Sequence, residues 1–218
     1  MEFRLIYKGR LSSNGDATEK HLIRKTFHPQ LAELWRSHPQ LSKQLTQNIH
    51  VFTTPPNTVS PPGPGVQQYA ETNNPSMGKP WIEWLADYYK RGDYRFAPLI
   101  RKGEVICSLD ILFLRRDSPG HLIKNTGGDI DNRIKTLFDA FRIPEAGELG
   151  IYKTPAAGEN PFYCLLQDDS DIAEVRVTTD RLLLPQETLE HRDDVHLVIH
   201  VKTRTVDPNA LFANIHIL

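Results

Sequence analysis

The side chains best suited to chemistry in this sequence are two aspartates separated by one residue. Asp129 and Asp131 flank Ile130 in the string GGDIDNRIK. If Ile130 anchors in the core, both carboxylates can point outward where the chain enters a helix. Carboxylate oxygens are the hard donors that Mg²⁺ requires, and Mg²⁺ usually takes one or two of them together with waters and a substrate phosphate. The pair therefore predicts a site for Mg²⁺, with Mn²⁺ as an alternative.

A lysine accompanies this pair, although a simpler role for the aspartates must be weighed. Lys135 lies one helical turn after Asp131 and is expected on the same face of the helix. An aspartate at a helix start is often only a cap, since it accepts hydrogen bonds from free N–H groups and suits the helix dipole. One cap, however, does not account for two aspartates and a lysine.

A second acidic group, Asp168-Asp169-Ser170-Asp171, lies between the apolar strings FYCLL and IAEVRV. Aspartate and serine are common turn formers, so this stretch could be a solvated turn between two strands. It could also converge with the first pair to close a metal site. Two separated acidic clusters in one small domain together favour a metal site over two unrelated turns.

The elements that must position these residues follow from apolar periodicity. A helix is predicted from residue 130, because apolar residues recur at helical spacing up to Phe141, and Pro144 lies just past its end. The very apolar run 105–114 predicts a central strand. Further strands are predicted at 2–8, 162–166, 172–178 and 195–203, the last two as edge or half-exposed strands.

Two more helical segments and one irregular stretch complete the prediction. A short helix is expected from Phe27, with Pro29 in its first turn, and another over 81–90. The stretch 53–80 holds seven prolines in 28 residues and predicts a long loop or insertion. We expect one α+β domain over 1–218, with a small mixed sheet packed by helices.

The string GDIDNRIKTLFDAF, followed by LLQDDSDIAEVRV, resembles the signature of the RusA-type Holliday junction resolvases. That signature is Asp-x-Asp-Asn with a lysine shortly after, then a helix and an Asp-Asp turn before a strand. On this resemblance Asp129 and Asp131 match the first two catalytic aspartates, Lys135 the catalytic lysine and Asp169 the third aspartate. The resemblance therefore implies Asp129, Asp131 and Asp169 as metal ligands, with Asp168 as a further candidate. The similarity covers 105–177, and more loosely the first and last strands.

The resemblance implies a RusA-like fold and a Mg²⁺-dependent endodeoxyribonuclease that nicks branched DNA, above all the four-way junction. It also implies a homodimer. Asn132 and Asp139 match the family, and Asp168 is its adjacent aspartate. Gly128 stands where the family often has a basic residue, and the segments 27–101 and 145–163 are long for it. These departures concern junction specificity more than metal chemistry.

Basic residues near the acidic site are candidates for phosphate contacts. The formal net charge of −1 argues against indiscriminate coating of nucleic acid, but 90–135 holds ten Lys or Arg against six Asp or Glu. We predict DNA contacts from the basic residues that flank the acidic site, which are Arg115, Arg116, Lys124 and Arg133.

Two alternatives to a junction resolvase remain. One is a RusA-like nuclease retargeted to other DNA or to RNA, and the other is a catalytically silent module that binds nucleic acid or a partner protein.

The chain shows no apolar run of membrane-spanning length and no secretory signal pattern, which predicts a cytoplasmic protein without a membrane association. Its two cysteines, Cys107 and Cys164, indicate neither a disulfide framework nor a zinc site.

Overall fold

The computed structural model describes residues 1–46, 80–102, 105–116, 130–145, 147–183 and 193–205. The predicted proline-rich insertion at 53–80 lies outside these residues except for Pro80. The helices are α1 (Ala17–Ser37), α2 (Pro39–Thr46), α3 (Trp81–Tyr88) and α4 (Ile130–Phe141). The strands are β1 (Glu2–Arg10), β2 (Lys90–Arg91), β3 (Tyr94–Ile100), β4 (Val105–Arg115), β5 (Phe162–Leu166), β6 (Ile172–Arg181) and β7 (Asp194–Thr205).

The strands form two small mixed sheets where the sequence predicted one. The larger has the order β1-β7-β4-β6, with β4 and β6 parallel and the other pairs antiparallel. The smaller has the order β2-β3-β5, with β3 and β5 parallel. One hydrophobic cluster includes residues of both sheets and of α1, α3 and α4. The mixed α+β class predicted from the sequence is therefore confirmed.

Strand β4 lies inside the larger sheet, as its apolar sequence predicted. Its odd-numbered residues face the core, so Leu109, Ile111 and Phe113 are fully buried. Its even-numbered residues face outward, and Leu112 is 36% exposed there. Strand β7 is also interior, paired with β1 and β4, and its alternation reflects one buried face rather than an edge.

Helix α1 begins ten residues earlier than the predicted start at Phe27. Asp16 caps it by accepting a hydrogen bond from the Glu19 N–H at 2.8 Å, and Pro29 lies inside the helix rather than in its first turn. The buried face of the first turns includes His21 and Arg24. Because these two residues are polar, the hydropathy pattern hides the first part of the helix.

Strand β3, with the sequence YRFAPLI, was not predicted from the sequence, because a proline such as Pro98 is unfavourable in the interior of a sheet. Strand β2 pairs only with Tyr94 and Arg95, so Pro98 lies beyond it. On the other side Pro98 is in register with Cys164 of β5. A proline can be accommodated in a strand that has a partner on one side only.

The aromatic residues of α1 and α3 pack together. Trp35 and Trp84 are buried and Trp81 is half-buried, with Trp81 stacked on Trp35 at a centroid distance of 6.3 Å. These residues therefore belong to the core or its border. Among the described residues, no helix is both long and apolar enough to cross a membrane.

His21 is a fully buried titratable group in the core between α1 and β3. Its Nε2 lies 3.3 Å from the Tyr94 hydroxyl, and its ring stacks on Tyr152 at 4.9 Å. Burial, reinforced by the positive charges of Arg24 and Lys25, lowers the pKa of His21 to about 4. The folded protein therefore favours the neutral imidazole.

We predict that His21 makes the fold sensitive to acid. Its contribution to stability is present above pH 6.5 and is lost as the pH falls toward 4, because the unfolded chain then binds a proton that the folded chain excludes. The full shift corresponds to about 3 kcal/mol. His21→Phe should flatten the dependence of the unfolding free energy on pH in this window, as measured by urea denaturation. Tyr152→Phe, which keeps His21, should retain the slope, and an equal slope in both variants would contradict the prediction.

Candidate metal centre

Helix α4 presents Asp131 and Lys135 to solvent on one face. Asp131 lies in its first turn, and one of its carboxylate oxygens accepts a hydrogen bond from the Asn132 N–H at 2.7 Å. Lys135 is exposed and four residues further on. Ile130 is partly buried and packs against the core, as expected for the anchor beside the acidic pair. Asp129 lies outside the described residues.

The second acidic group forms a short 3₁₀ turn, Asp169–Asp171, between β5 and β6. Asp168 caps this turn by accepting a hydrogen bond from the Ser170 N–H at 2.9 Å. Hydrogen bonds from Ser170, together with the positive charge of Lys102, lower the pKa of Asp168. Asp169 is exposed. Asp168 therefore has the turn-forming role that the sequence offered as the alternative, while Asp169 faces solvent.

Asp171 is an acidic residue that sequence reasoning did not select as a site residue. Its side chain is only 3% exposed, and its Oδ2 has no hydrogen-bond partner among the described residues. Burial, followed by the charge of Asp168, raises the pKa of Asp171 to about 6. No local pattern distinguishes Asp171 from its exposed neighbours, because its burial depends on β4 and α4, which contact the turn.

Lys102 is a basic residue near the turn that the sequence also failed to indicate. Ile100 and Leu166 are register partners in the parallel pair β3 and β5, so the carboxyl ends of both strands lie at the same end of the smaller sheet. The Lys102 N–H donates to Gln167 Oε1 at 3.0 Å. The positive charge of Lys102 favours the ionised form of both Asp168 and Asp171.

The helix that begins at the first acidic segment is in contact with the turn formed by the second. Helix α4 contacts the 3₁₀ turn, so the helix that carries Asp131 and Lys135 adjoins the turn that carries Asp169. Within the described ranges, no three His, Cys, Asp or Glu side chains converge closely enough to hold a metal ion. The predicted ligand set also includes Asp129, whose position is outside those ranges.

The four basic residues predicted to contact DNA occupy different environments. Arg133 is 1% exposed, and its guanidinium donates to the Leu11 carbonyl and to Asp193 Oδ1, the latter at 2.6 Å. Arg115 is buried, whereas Arg116 is half-buried. Lys124 lies outside the described residues. Arg133 therefore serves the fold in this structure, which does not fit a role in phosphate contact.

The other family-matching residues on α4 also divide between surface and scaffold. Asn132 is exposed. Asp139 forms ion pairs with Lys20 of α1 at 2.7 Å and with Arg142 at 3.3 Å. Burial alone would raise the pKa of Asp139, but the hydrogen bond and charge of Lys20, with Arg142, lower it. Asp139 thus ties α4 to α1.

Comparison of the chain with protein-family profiles, with characterised proteins and with solved structures gave no match in any of the three.

Arg133 and Lys135, two basic residues on α4, are predicted to differ sharply in their effect on stability. Arg133→Ala leaves Asp193 and the Leu11 carbonyl without their buried donor and should lower the unfolding free energy by about 3 kcal/mol. Lys135→Ala removes an exposed side chain and should change it by less than about 0.5 kcal/mol. Urea denaturation of the two variants beside the wild type measures both values. Equal stabilities would show that the Arg133 bonds do not support the fold.

Proposed function

We propose that this protein is a Mg²⁺-dependent, structure-selective endodeoxyribonuclease of the RusA type that nicks branched DNA, above all the four-way junction. The observation that carries the proposal is the ordered motif of Asp129, Asp131 and Lys135 followed by Asp169. The contact between α4 and the 3₁₀ turn supports it, because the two elements that follow and carry the acidic segments are neighbours in the fold. A RusA-like fold, a homodimer and action in the cytoplasm are parts of the same proposal.

The chemistry of the donors fits a hard divalent cation. Asp129, Asp131 and Asp169 would hold Mg²⁺ or Mn²⁺, and the exposure of Asp131 and Asp169 leaves room for the waters and phosphate oxygens that Mg²⁺ retains. Asp168 is less suited, since one of its oxygens already caps the turn. When bound, the metal supplies Lewis-acid activation of water and neutralises charge on the scissile phosphate.

The protein's own groups complete the electrostatics of such a site. Asp171 is the buried last residue of the turn, and its charge interacts with those of Asp168 and Asp169, so a cation beside the turn would relieve repulsion among them. Lys135 is exposed four residues after Asp131 and would act as a point charge toward phosphate or the leaving oxygen.

Contacts to the DNA backbone would come from basic residues around the turn and from the ends of the neighbouring strands. Lys102 lies beside the turn, and Arg116 follows β4 in a half-buried position. The sequence adds Lys124, which lies outside the described residues. Because such contacts neutralise phosphates, binding should weaken as the salt concentration rises.

The decisive experiment compares cleavage of labelled four-way junction, flap, fork and linear duplex in Mg²⁺. We expect the junction to be nicked fastest. Asp131→Asn keeps the side-chain shape but removes a ligand charge, so it should slow nicking by ~100-fold or more, since a catalytic metal contributes several kcal/mol to the transition state. Lys135→Ala should also slow nicking without affecting stability.

Glu33→Gln is the matched control for this experiment. It makes the same carboxylate-to-amide change in an exposed ion pair with Arg36 on α1, and it should retain full activity. Faster cleavage of flap or linear duplex than of junction would indicate a retargeted nuclease. No metal-dependent cleavage of any substrate would refute the nuclease proposal and favour a binding module.

A further inference from the structure

Gln167 is the residue between the end of strand β5 and Asp168, which caps the acidic turn. It is half-buried. Its backbone N–H donates to the Ile100 carbonyl at 2.8 Å, just beyond the last register pair of β3 and β5, which is Ile100 with Leu166. The chain therefore enters the acidic turn from a backbone position that the neighbouring strand fixes.

The side-chain oxygen of Gln167 joins two further segments to this point. Gln167 Oε1 accepts a hydrogen bond from the Tyr89 hydroxyl at 2.9 Å and another from the Lys102 N–H at 3.0 Å. A backbone N–H can only donate, so the amide must present its oxygen, and not its nitrogen, to Lys102. One atom thus links the end of α3, the chain just after β3 and the start of the acidic turn.

Tyr89 anchors this link to the core. It is 3% exposed and caps the end of α3, where its N–H donates to the Leu85 carbonyl at 3.2 Å. Its own carbonyl accepts from the Phe96 N–H of β3 at 3.3 Å. The hydroxyl that reaches Gln167 is the polar end of a ring that belongs to the hydrophobic core. Gln167 is therefore tied to the interior of the protein rather than to another surface group.

Two groups of the proposed site lie next to this link. Asp169, a proposed metal ligand, is two residues after Gln167. Lys102, a proposed phosphate contact, is held by its own N–H, and it is close enough to Asp168 and Asp171 to interact with both charges. The Gln167 oxygen thus sets where a ligand and a cation of the same site lie relative to each other.

We propose that Gln167 is a positioning residue of the candidate metal centre, which fixes the acidic turn and Lys102 relative to each other and, through Tyr89, to the core. The inference rests on the proposed function, because it concerns the metal and the phosphate of that site. Gln167 acts through Asp169 and Lys102 and contacts neither metal nor DNA. Groups that orient metal ligands in this way typically contribute roughly 10- to 100-fold to metal affinity or activity.

The coordination of Mg²⁺ explains why such a link is needed. Mg²⁺ demands near-ideal octahedral geometry, so its ligands must be held accurately. Asp169 is exposed at the start of a turn of only three residues. The end of that turn is held by the buried Asp171, and its beginning follows directly on Gln167. Loss of the Gln167 bonds would therefore loosen the side of the turn that carries the proposed ligand.

The same bonds also support the fold, so a test must separate position from stability. Lower stability reduces the folded fraction but does not change the metal affinity of the molecules that remain folded. Gln30 of α1 provides the comparison, because it is also half-buried and its Oε1 accepts from the Ile6 N–H at 2.8 Å. Its Nε2 donates to the Ile6 carbonyl at 2.7 Å. These bonds lie at β1, the opposite end of the larger sheet from β6.

The first experiment measures the binding of Mn²⁺ alone, with the free ion followed by electron paramagnetic resonance. Gln167→Met is similar in length but has no acceptor, and it should raise the Mn²⁺ dissociation constant about tenfold or more. Gln30→Met should leave the constant unchanged. Gln167→Glu restores an acceptor for both donors and should not weaken binding. A wild-type constant in Gln167→Met, or equal weakening in Gln167→Glu, would overturn the proposal.

A milder pair of variants keeps the proposal testable if Gln167→Met does not fold. Tyr89→Phe removes one hydroxyl and leaves the Lys102 bond in place, so it should raise the Mn²⁺ constant roughly threefold, as expected for one hydrogen bond. Tyr88→Phe removes the same group from the adjacent tyrosine, which is 39% exposed, and should have no effect. Equal constants in these two variants would show that the Tyr89 hydroxyl does not position the site.

Junction cleavage separates this inference from the nuclease proposal. Gln167→Met should nick slowly at low Mg²⁺ and recover most of the wild-type rate as Mg²⁺ is raised, because every proposed ligand is still present. Asp131→Asn should not recover. The same Mg²⁺ dependence in Gln167→Met as in the wild type would overturn the positioning role. A wild type that binds Mn²⁺ but cuts no DNA would refute only the nuclease, whereas one that binds no Mn²⁺ would overturn both proposals.

Discussion

Two buried guanidinium groups fix helix α4, and the candidate site depends on that constraint. Arg133 reaches from the first half of the helix to the Leu11 carbonyl, just after β1, and to Asp193, just before β7. Arg24 of α1 donates to the carbonyls of Asp139 and Arg142 at 2.7 and 3.3 Å, near the end of α4. Burial lowers the pKa of Arg24 to about 10, so it stays charged at neutral pH. Because buried charges without partners are costly, these bonds specify one position for the helix.

The fixed position of α4 determines which of its residues face solvent. Residues on the buried side, including Ile134 and Leu137, pack into the core, which leaves Asp131 and Lys135 on the solvent side. The 3₁₀ turn that α4 contacts is also held from both ends, since β5 belongs to the smaller sheet and β6 to the larger. The acidic turn therefore lies where the chain passes from one sheet to the other, and rigid strands, rather than a free loop, define its place.

The two edges of the larger sheet differ in how their backbone groups are satisfied among the described residues. Gln30 satisfies the middle of β1 with a single side chain, while β6 keeps alternating charged and apolar residues along an edge without a described partner. Edge strands that are neither covered nor interrupted tend to pair with other chains.

The sequence by itself determined the elements whose signal is local. Strands β4 and β5 and helix α4 have the predicted extents within a residue or two, because each has a consistent hydrophobic period and clear flanking residues. The acidic motif, on which the predicted metal chemistry depends, likewise lies in two short sequence segments and can be recognised without the structure. Only the tertiary structure decided which polar residues are interior. His21, Arg24 and Arg133 count as polar in any hydrophobic pattern, yet all three are buried by partners distant in sequence. The same holds for Asp171, which is buried while the adjacent Ser170 is exposed, because burial is set by what packs against a residue and not by its own type.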